Sequence, residues 1–437
     1  MGSSAAVAPP EPDDAPPRPV ERALDRDLLF AARAIRMLAY GGLAVVLVLY
    51  LSRLGLDGAT IGILLALTLV GDTVISLWLT THADRIGRRR VLLAGALLMA
   101  GAAVVFAVTD IVPLLIAAAT IGVISPSGKE VGPFLAVEQA SLTRLVPDER
   151  RTGVFAWYNL VGSVAAAVGA LATGLTVQAL RSSGVGDLDA DRAIVVAYGA
   201  VGLVLAVLFL RLTPAVEVPR AERSTVAGRL GLHRSRDIVL RLSALFSLDA
   251  FAGGLVMDSI VAYWFTTRFG VEPALLGAIF FGANILAAIS ALSAARLARR
   301  FGLVNTMVFT HLPSNVLLIL VPLMPTLPLA IAVLLARFSI SQMDVPTRQS
   351  YTMAVVDPDE RSAAAGVTGI ARTTGSAASP LIAAPLVQAP GLMGLPFVIA
   401  GSLKIVYDLV LWRLFRARPT PEEAEARGRS AREVAAR

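Results

Sequence analysis

The 437-residue chain has no cysteine, three histidines and only 16% charged residues. The first absence removes any disulfide framework and any thiolate chemistry. His82, His233 and His311 lie far apart, none with a second histidine at ligand spacing, so metal catalysis lacks support and neither a metal nor a cofactor is expected. Soluble domains carry about a quarter charged residues, so most of this chain cannot face water. What fills the space is apolar, with 56% of residues hydrophobic. The net charge of +7 invites a nucleic-acid reading. The arginines, however, cluster in short connectors between apolar runs, where they set membrane orientation, and no nucleic-acid partner is expected. Two ligand motifs also fail. Five residues rather than four separate Gly122 from Gly128, and Glu130 stands where a phosphate loop needs Ser or Thr. Asp187, Asp189 and Asp191 suggest a calcium loop, but Arg192 replaces its glycine and no glutamate closes it.

A spanning helix needs about 20 apolar residues. Twelve such runs lie near 28–52, 59–80, 91–109, 111–142, 153–179, 193–212, 239–266, 273–296, 304–323, 327–351, 363–387 and 393–415. Residues 1–27, rich in Pro, Ala and acidic groups, are expected to form a disordered tail. No cleavable signal peptide is expected, because the first apolar run continues at full spanning length. Arginine-rich connectors at 81–90, 143–152, 213–238 and 297–303, with the tail 417–437, alternate with poorer ones. The positive-inside rule then puts both termini in the cytoplasm, across an inner or plasma membrane. Trp78, Trp157, Trp264 and Trp412 fall near predicted helix ends, where interfacial rings belong.

The basic linker 213–238 divides the chain into two units, 28–212 and 239–416. Gly55-x6-Gly62 is answered by Gly270-x6-Gly277, Gly87 by Gly302, and Pro147-Asp148-Glu149-Arg150 by Pro358-Asp359-Glu360-Arg361. Duplication of a helical unit marks transporters built from repeats. The expectation is an all-α membrane protein, twelve transmembrane helices in two pseudo-symmetric six-helix bundles.

Between the second and third runs the chain reads His82-Ala83-Asp84-Arg85-Ile86-Gly87-Arg88-Arg89. This resembles the G-x-L-A-D-R-x-G-R-R loop of the major facilitator superfamily. Asp84, Arg85, Gly87, Arg88 and Arg89 match it, while Thr80 and His82 depart from it. The resemblance covers about residues 28–416 and implies the major facilitator fold and transport by alternating access. It also implies a cytoplasmic gate, with Asp84 against the N-terminus of helix 11, where unpaired N–H groups favour a carboxylate. Arg85 and Arg88 would pair with carboxylates for which Glu149 and Glu360 are candidates.

Ionisable groups inside a bilayer cost about 2.5–3.5 kcal/mol on insertion scales and are functional candidates by default. Helix 1 carries Arg33 and Arg36 with Tyr40 one turn on, helix 4 carries Lys129, Glu130 and Glu138, helix 7 carries Asp249 and Asp258, and helix 10 carries Arg337, Asp344 and Arg348. By the resemblance these four helices line the central cavity. Asp72 lies in helix 2 and Arg372 in helix 11. Lys404 and Asp408, four residues apart in helix 12, are expected to neutralise each other. Two prolines and two glycines interrupt helix 4 across Ser125–Pro133, and Ser341–Pro346 interrupts helix 10 in the corresponding place. Paired breaks of this kind point to a binding site, because the freed backbone can face a wet cavity. Lys129 is expected to attract an anionic group, and Glu130, Asp344, Asp249, Asp258 or Asp72 to carry protons. Arg33, Arg36 and Arg348 are further anchors for a carboxylate.

The expected function is therefore not enzymatic. It is secondary active transport of a small organic solute by a monomer in the lipid bilayer, with export by proton antiport favoured. Gly162, Gly169 and Gly174 in helix 5, and Gly375-x4-Pro380 in helix 11, suit close helix packing and, by the resemblance, antiport. The alternatives are proton-coupled uptake of an organic anion or zwitterion, and a non-transporting sensor on the same fold.

Overall fold

A computed structural model describes residues 19–217, 234–357 and 360–416. Expectations for the two tails, for most of the linker and for the side chains of Asp84 and Glu149 lie outside the described residues. The first half runs through α1 (Pro19–Arg53), α2 (Gly58–Ile86), α3 (Arg88–Val108), α4 (Val112–Ile121), α5 (Phe134–Leu145), α6 (Asp148–Ser182) and α7 (Asp187–Leu210). The second runs through α8 (Arg236–Gly254), α9 (Asp258–Phe269), α10 (Pro273–Phe301), α11 (Leu303–Leu320), α12 (Leu327–Ser341), α13 (Asp344–Ala354), α14 (Arg361–Ala378), α15 (Pro380–Gln388) and α16 (Leu395–Phe415). Among the described residues, ten helical passages are long and apolar enough to cross a bilayer. Two more cross in pieces, α4 with α5 and α14 with α15, which completes the expected twelve.

Three details differ from the sequence reading. Helix α1 begins at Pro19, so residues 19–27 are helical turns. Glu21 lies in the first turn, where the helix dipole favours it, and Asp25 accepts bonds from Thr213 N at 2.9 Å and Thr213 Oγ1 at 2.7 Å. The seventh passage is split between α8 and α9 after the tandem Gly253-Gly254, a poor pair for helix continuity. Trp264 is a core residue rather than an interfacial anchor. It is 1% exposed and packs on Phe265, Phe269 and Phe397 at ring distances of 4.9, 5.5 and 4.9 Å, whereas Trp78 and Trp157 are exposed.

The two halves repeat one packing scheme. Helix α1 lies on α6 as α8 lies on α14, α3 on α7 as α11 on α16, and α2 on α4 as α10 on α12. The halves join at the end away from the Gly87 turn, where α6 meets α10, α2 meets α15 and α1 meets α9. Small residues permit that contact: a methyl built on Gly174 would fall 2.3 Å from Pro273 O, and one on Gly62 would fall 2.6 Å from Pro380 O. Toward the basic end, which holds the Gly87 turn, α5 packs on α1 and α3, and α13 packs on α11 and α10, each within its own half.

Candidate substrate and ion site between the halves

The break between α4 and α5 decides where its charges go. Gly128 and Gly132 take positive φ of 63° and 81°, which removes helical hydrogen bonds and turns consecutive residues in different directions. The freed backbone finds substitute partners, as buried polar groups must. Ser125 Oγ donates to Lys129 O at 2.6 Å, Tyr40 Oη donates to Val131 O at 3.2 Å, and Gly132 N donates to Asp72 Oδ1 at 2.5 Å. Asp72 also accepts from Ser76 Oγ at 3.0 Å. Asp72 and Tyr40 thus hold the shape of the break.

Glu130 turns into its own half. Its carboxylate accepts from Arg33 Nη1 and, at 2.9 Å, from Arg36 Nε. The same Arg36 makes a two-pronged pair with Glu138 in α5, both bonds at 2.7 Å, and Tyr158 Oη donates to Glu138 as well. Forked pairing of this kind suits a buried guanidinium. The faces of both arginines are covered too, Arg33 by Tyr158 at 4.8 Å and Arg36 by Phe134 at 4.5 Å. Two guanidinium groups and two carboxylates therefore close on one another.

The second half builds its own buried ion pair between α8 and α13, with the carboxylate on the first of its helices and the guanidinium on the later one, the reverse of Arg36 and Glu138. Arg348 Nη1 lies 2.9 Å from Asp249 Oδ2 and 3.2 Å from Asp344 Oδ2. Lys404 Nζ from α16 reaches Asp249 Oδ1 at 2.5 Å. The expected Lys404–Asp408 pair is thus replaced by partners on other helices. Asp408 lies 2.9 Å from His311 Nδ1 and accepts from Asn315 Nδ2 at 2.8 Å, both on α11. All of these groups are buried.

Lys129 turns the other way. It is solvent-exposed, yet the charges it faces, Asp258, Lys404, Arg337 and Arg372, all belong to the second half. The solvent it meets therefore lies between the halves. A narrow crevice between the halves, lined by Gly41, Ala44, Gly128, Asp258, Phe280 and Asn284, lies beside the α4–α5 break. Arg337 Nε and Arg372 Nε are buried without a hydrogen-bond partner among the described residues. Lys129 and Arg337 face Asp258, and Arg337 and Arg372 face Asp249 and Asp344, but those two carboxylates are already bonded to Arg348 and Lys404, so cations are in excess on this surface.

At the basic end Gly87 makes the turn from α2 to α3 with φ 107°. Glu217 caps the start of α3, accepting from Arg88 N at 2.8 Å and Arg89 N at 3.0 Å. The Arg88 side chain donates to Ala140 O at 2.9 Å and Val216 O at 3.3 Å, and Arg85 is exposed. Glu360 accepts from Arg234 N at 2.9 Å and Ser235 N at 2.8 Å, just before α8. The sequence expectation omitted Glu138 from the site, and missed Tyr158, Asn315 and the role of His311. The charge of Glu138 inside an apolar run was its visible sign. The other three carry no charge that would single them out.

A duplicated six-helix unit, joined at one end around charged, broken helices, has a known counterpart. The Major Facilitator Superfamily model matches residues 29–380. The chain belongs to the major facilitator superfamily. It is 30% identical over 421 residues to an uncharacterized membrane protein of Saccharomyces cerevisiae, covering 90% of this chain and 94% of that one. Its fold is similar to that of the nucleoside transporter NupG, with a TM-score of 0.70 at 15% identity, covering 89% of this chain and 98% of that one. A bacterial homologue of the human lysosomal transporter Spinster, solved inward-facing and unoccupied, has a TM-score of 0.69 at 16% identity, covering 92% and 99%. This chain is thus a multi-pass membrane protein with the fold of a small-molecule transporter.

Proposed function

We propose that this major facilitator protein moves a small organic anion by alternating access, coupled to protons, with the Gly87 turn and both termini on the cytoplasmic side. The observation that carries the reading is the excess of cations at the inner surface between the halves: Lys129 and Arg337 face Asp258, while Arg337 and Arg372 face Asp249 and Asp344, carboxylates already bonded to Arg348 and Lys404. Cations unpaired inside a bilayer are costly and are explained by a partner of opposite charge that comes and goes. An anion and a proton entering together neutralise each other, which favours the uptake reading over export by antiport. The glycines of α6 argue for antiport less than they did, since Gly174 serves contact with Pro273 and Gly162 contact with Arg33. In this scheme the Glu217, Arg88 and Glu360 bonds belong to the gate at the basic end, with Asp84, Arg85 and Glu149 beside them.

Proteoliposomes under an inward proton gradient, offered labelled mono- and dicarboxylates, phosphonates and organic cations, test the reading. Uptake of an anion is expected, falling at least about tenfold in Lys129→Gln or Arg372→Gln, the size of one lost charge contact. Uptake of cations instead, or anion uptake indifferent to both substitutions, contradicts it. Binding of the anion without any uptake would point to the sensor alternative.

A further inference from the structure

The second half contains one ionisable cluster that anion binding leaves unused. His311 sits in the middle of α11 and Asp408 in α16, and both are buried. His311 Nδ1 lies 2.9 Å from Asp408 Oδ1, and Asn315 Nδ2 donates to Asp408 Oδ2 at 2.8 Å. From α16 come also Lys404, one turn away, and Tyr407, whose ring meets the imidazole edge-on at 6.1 Å. Helix α8 brings Asp249, α13 brings Arg348 and Asp344, and α12 brings Arg337, which faces Asp344 and Asp249. The charges of α10, Arg296, Arg299 and Arg300, lie in its last turns.

Among the described residues, Asp408 has no bonded fixed cation. Lys404 Nζ is committed to Asp249 at 2.5 Å, and Arg348 is shared between Asp249 and Asp344. Arg372 faces the Asp249, Asp344 and Arg348 end of the chain of charges. What remains beside Asp408 is an amide and an imidazole. A buried carboxylate is stable only when paired, so the arrangement is complete only with one dissociable proton on the imidazole.

We propose that His311 and Asp408 form a proton-binding site between α11 and α16, linked to the central cavity through Lys404 and Asp249. The proton adds to the free ring nitrogen of His311, giving an imidazolium paired with the Asp408 carboxylate, and returns to water when it leaves. Its loss leaves Asp408 unneutralised, and Lys404, on the same helix face one turn away, is drawn from Asp249 toward it. The cavity wall then loses a cation, so proton and anion strengthen each other's binding by the same factor. This linkage rests on the anion reading above, whereas the proton site itself does not.

The chain's three histidines make a direct test possible. In a His82→Gln/His233→Gln background, His311 is the one imidazole. The full chain, labelled with 15N-histidine and held in lipid nanodiscs without any substrate, is titrated by NMR from about pH 5 to pH 8, the range in which histidine changes charge. The imidazole is expected to take up a proton in this range. Asp408→Asn should weaken that uptake about tenfold or more, and Asp408→Glu should restore it. Where Asp408→Asn does not fold, Lys404→Met serves instead: loss of that cation should strengthen proton binding at His311. An imidazole that stays neutral throughout, or one that titrates identically in parent and variants, overturns the proposal. Because no substrate is present, that failure would leave the anion reading standing, and failure of the anion panel would leave this site standing.

Discussion

The two halves share a frame and differ in what they do with charge. In the first, Arg33 and Arg36 close on Glu130 and Glu138, two fixed cations against two carboxylates, with Tyr158 supplying a further bond. In the second, Arg348 and Lys404 face Asp249, Asp344 and Asp408, with His311 beside the last. Each half has a buried ion pair between its first helix and a later one, with the guanidinium on α1 in the first half and on α13 in the second. The first cluster is complete without a proton. The second extends across α8, α13, α16 and α11, and is complete only with one. The difference assigns a holding role to the first half and a titrating role to the second.

The comparison can be broken at several points. The largest effect is expected from Arg36→Gln, which strips Glu138 of its forked partner and leaves Glu130 with Arg33 alone. Removing one member of a buried pair costs about 3–5 kcal/mol, which should appear as loss of folded protein on size exclusion or a steep fall in melting temperature. Lys404→Met should cost less, about 2 kcal/mol, because Arg348 still holds Asp249. Adding Asp249→Asn to Lys404→Met should recover part of that loss, since it removes the charge left underpaired. A loss in Lys404→Met as large as that in Arg36→Gln would show the two clusters to be alike.

The smallest effect concerns the starts of α2 and α10, which are repeat partners. Asp57 caps α2 by accepting from Thr60 N at 2.8 Å, while Glu272 precedes α10 without such a bond. Asp57→Ala should lower the melting temperature slightly, and Glu272→Ala should leave it unchanged. The Thr60 N–H holds the Asp57 carboxyl below its usual range. Its contribution is therefore present above the unfolded-state value and lost as pH falls through the lower folded one. The gap between Asp57→Ala and parent should accordingly close in acid and be full at neutral pH. A gap that widens in acid would reverse the assignment.

Much of the frame was legible in the sequence because it depends on run length, arginine placement and repeated Gly and P-D-E-R spacings. The break at Ser125–Pro133 was legible too, since proline and glycine act locally. Partnerships were not. Lys404 and Asp408 stand one turn apart and invite pairing along one helix, yet α8 offers Asp249 and α11 offers His311 at shorter reach. Lys129 and Glu130 are neighbours in sequence, and only the positive φ of Gly128 and Gly132 explains why one faces the cavity and the other its own half. His311 carries no fixed charge and lies in an apolar run, so its meaning depends wholly on a residue 97 positions away. Trp264 was misplaced for a related reason, because its aromatic partner Phe397 comes from the other end of the second half.

The division of roles between the halves is tested most directly by counting protons taken up when the identified anion binds. Isothermal titration in buffers of different ionisation enthalpy would give that count. The account predicts that proton uptake accompanies anion binding in the parent, disappears in His311→Gln and persists in Glu130→Gln. Uptake that persists in His311→Gln and disappears in Glu130→Gln would place the proton in the first half and contradict it.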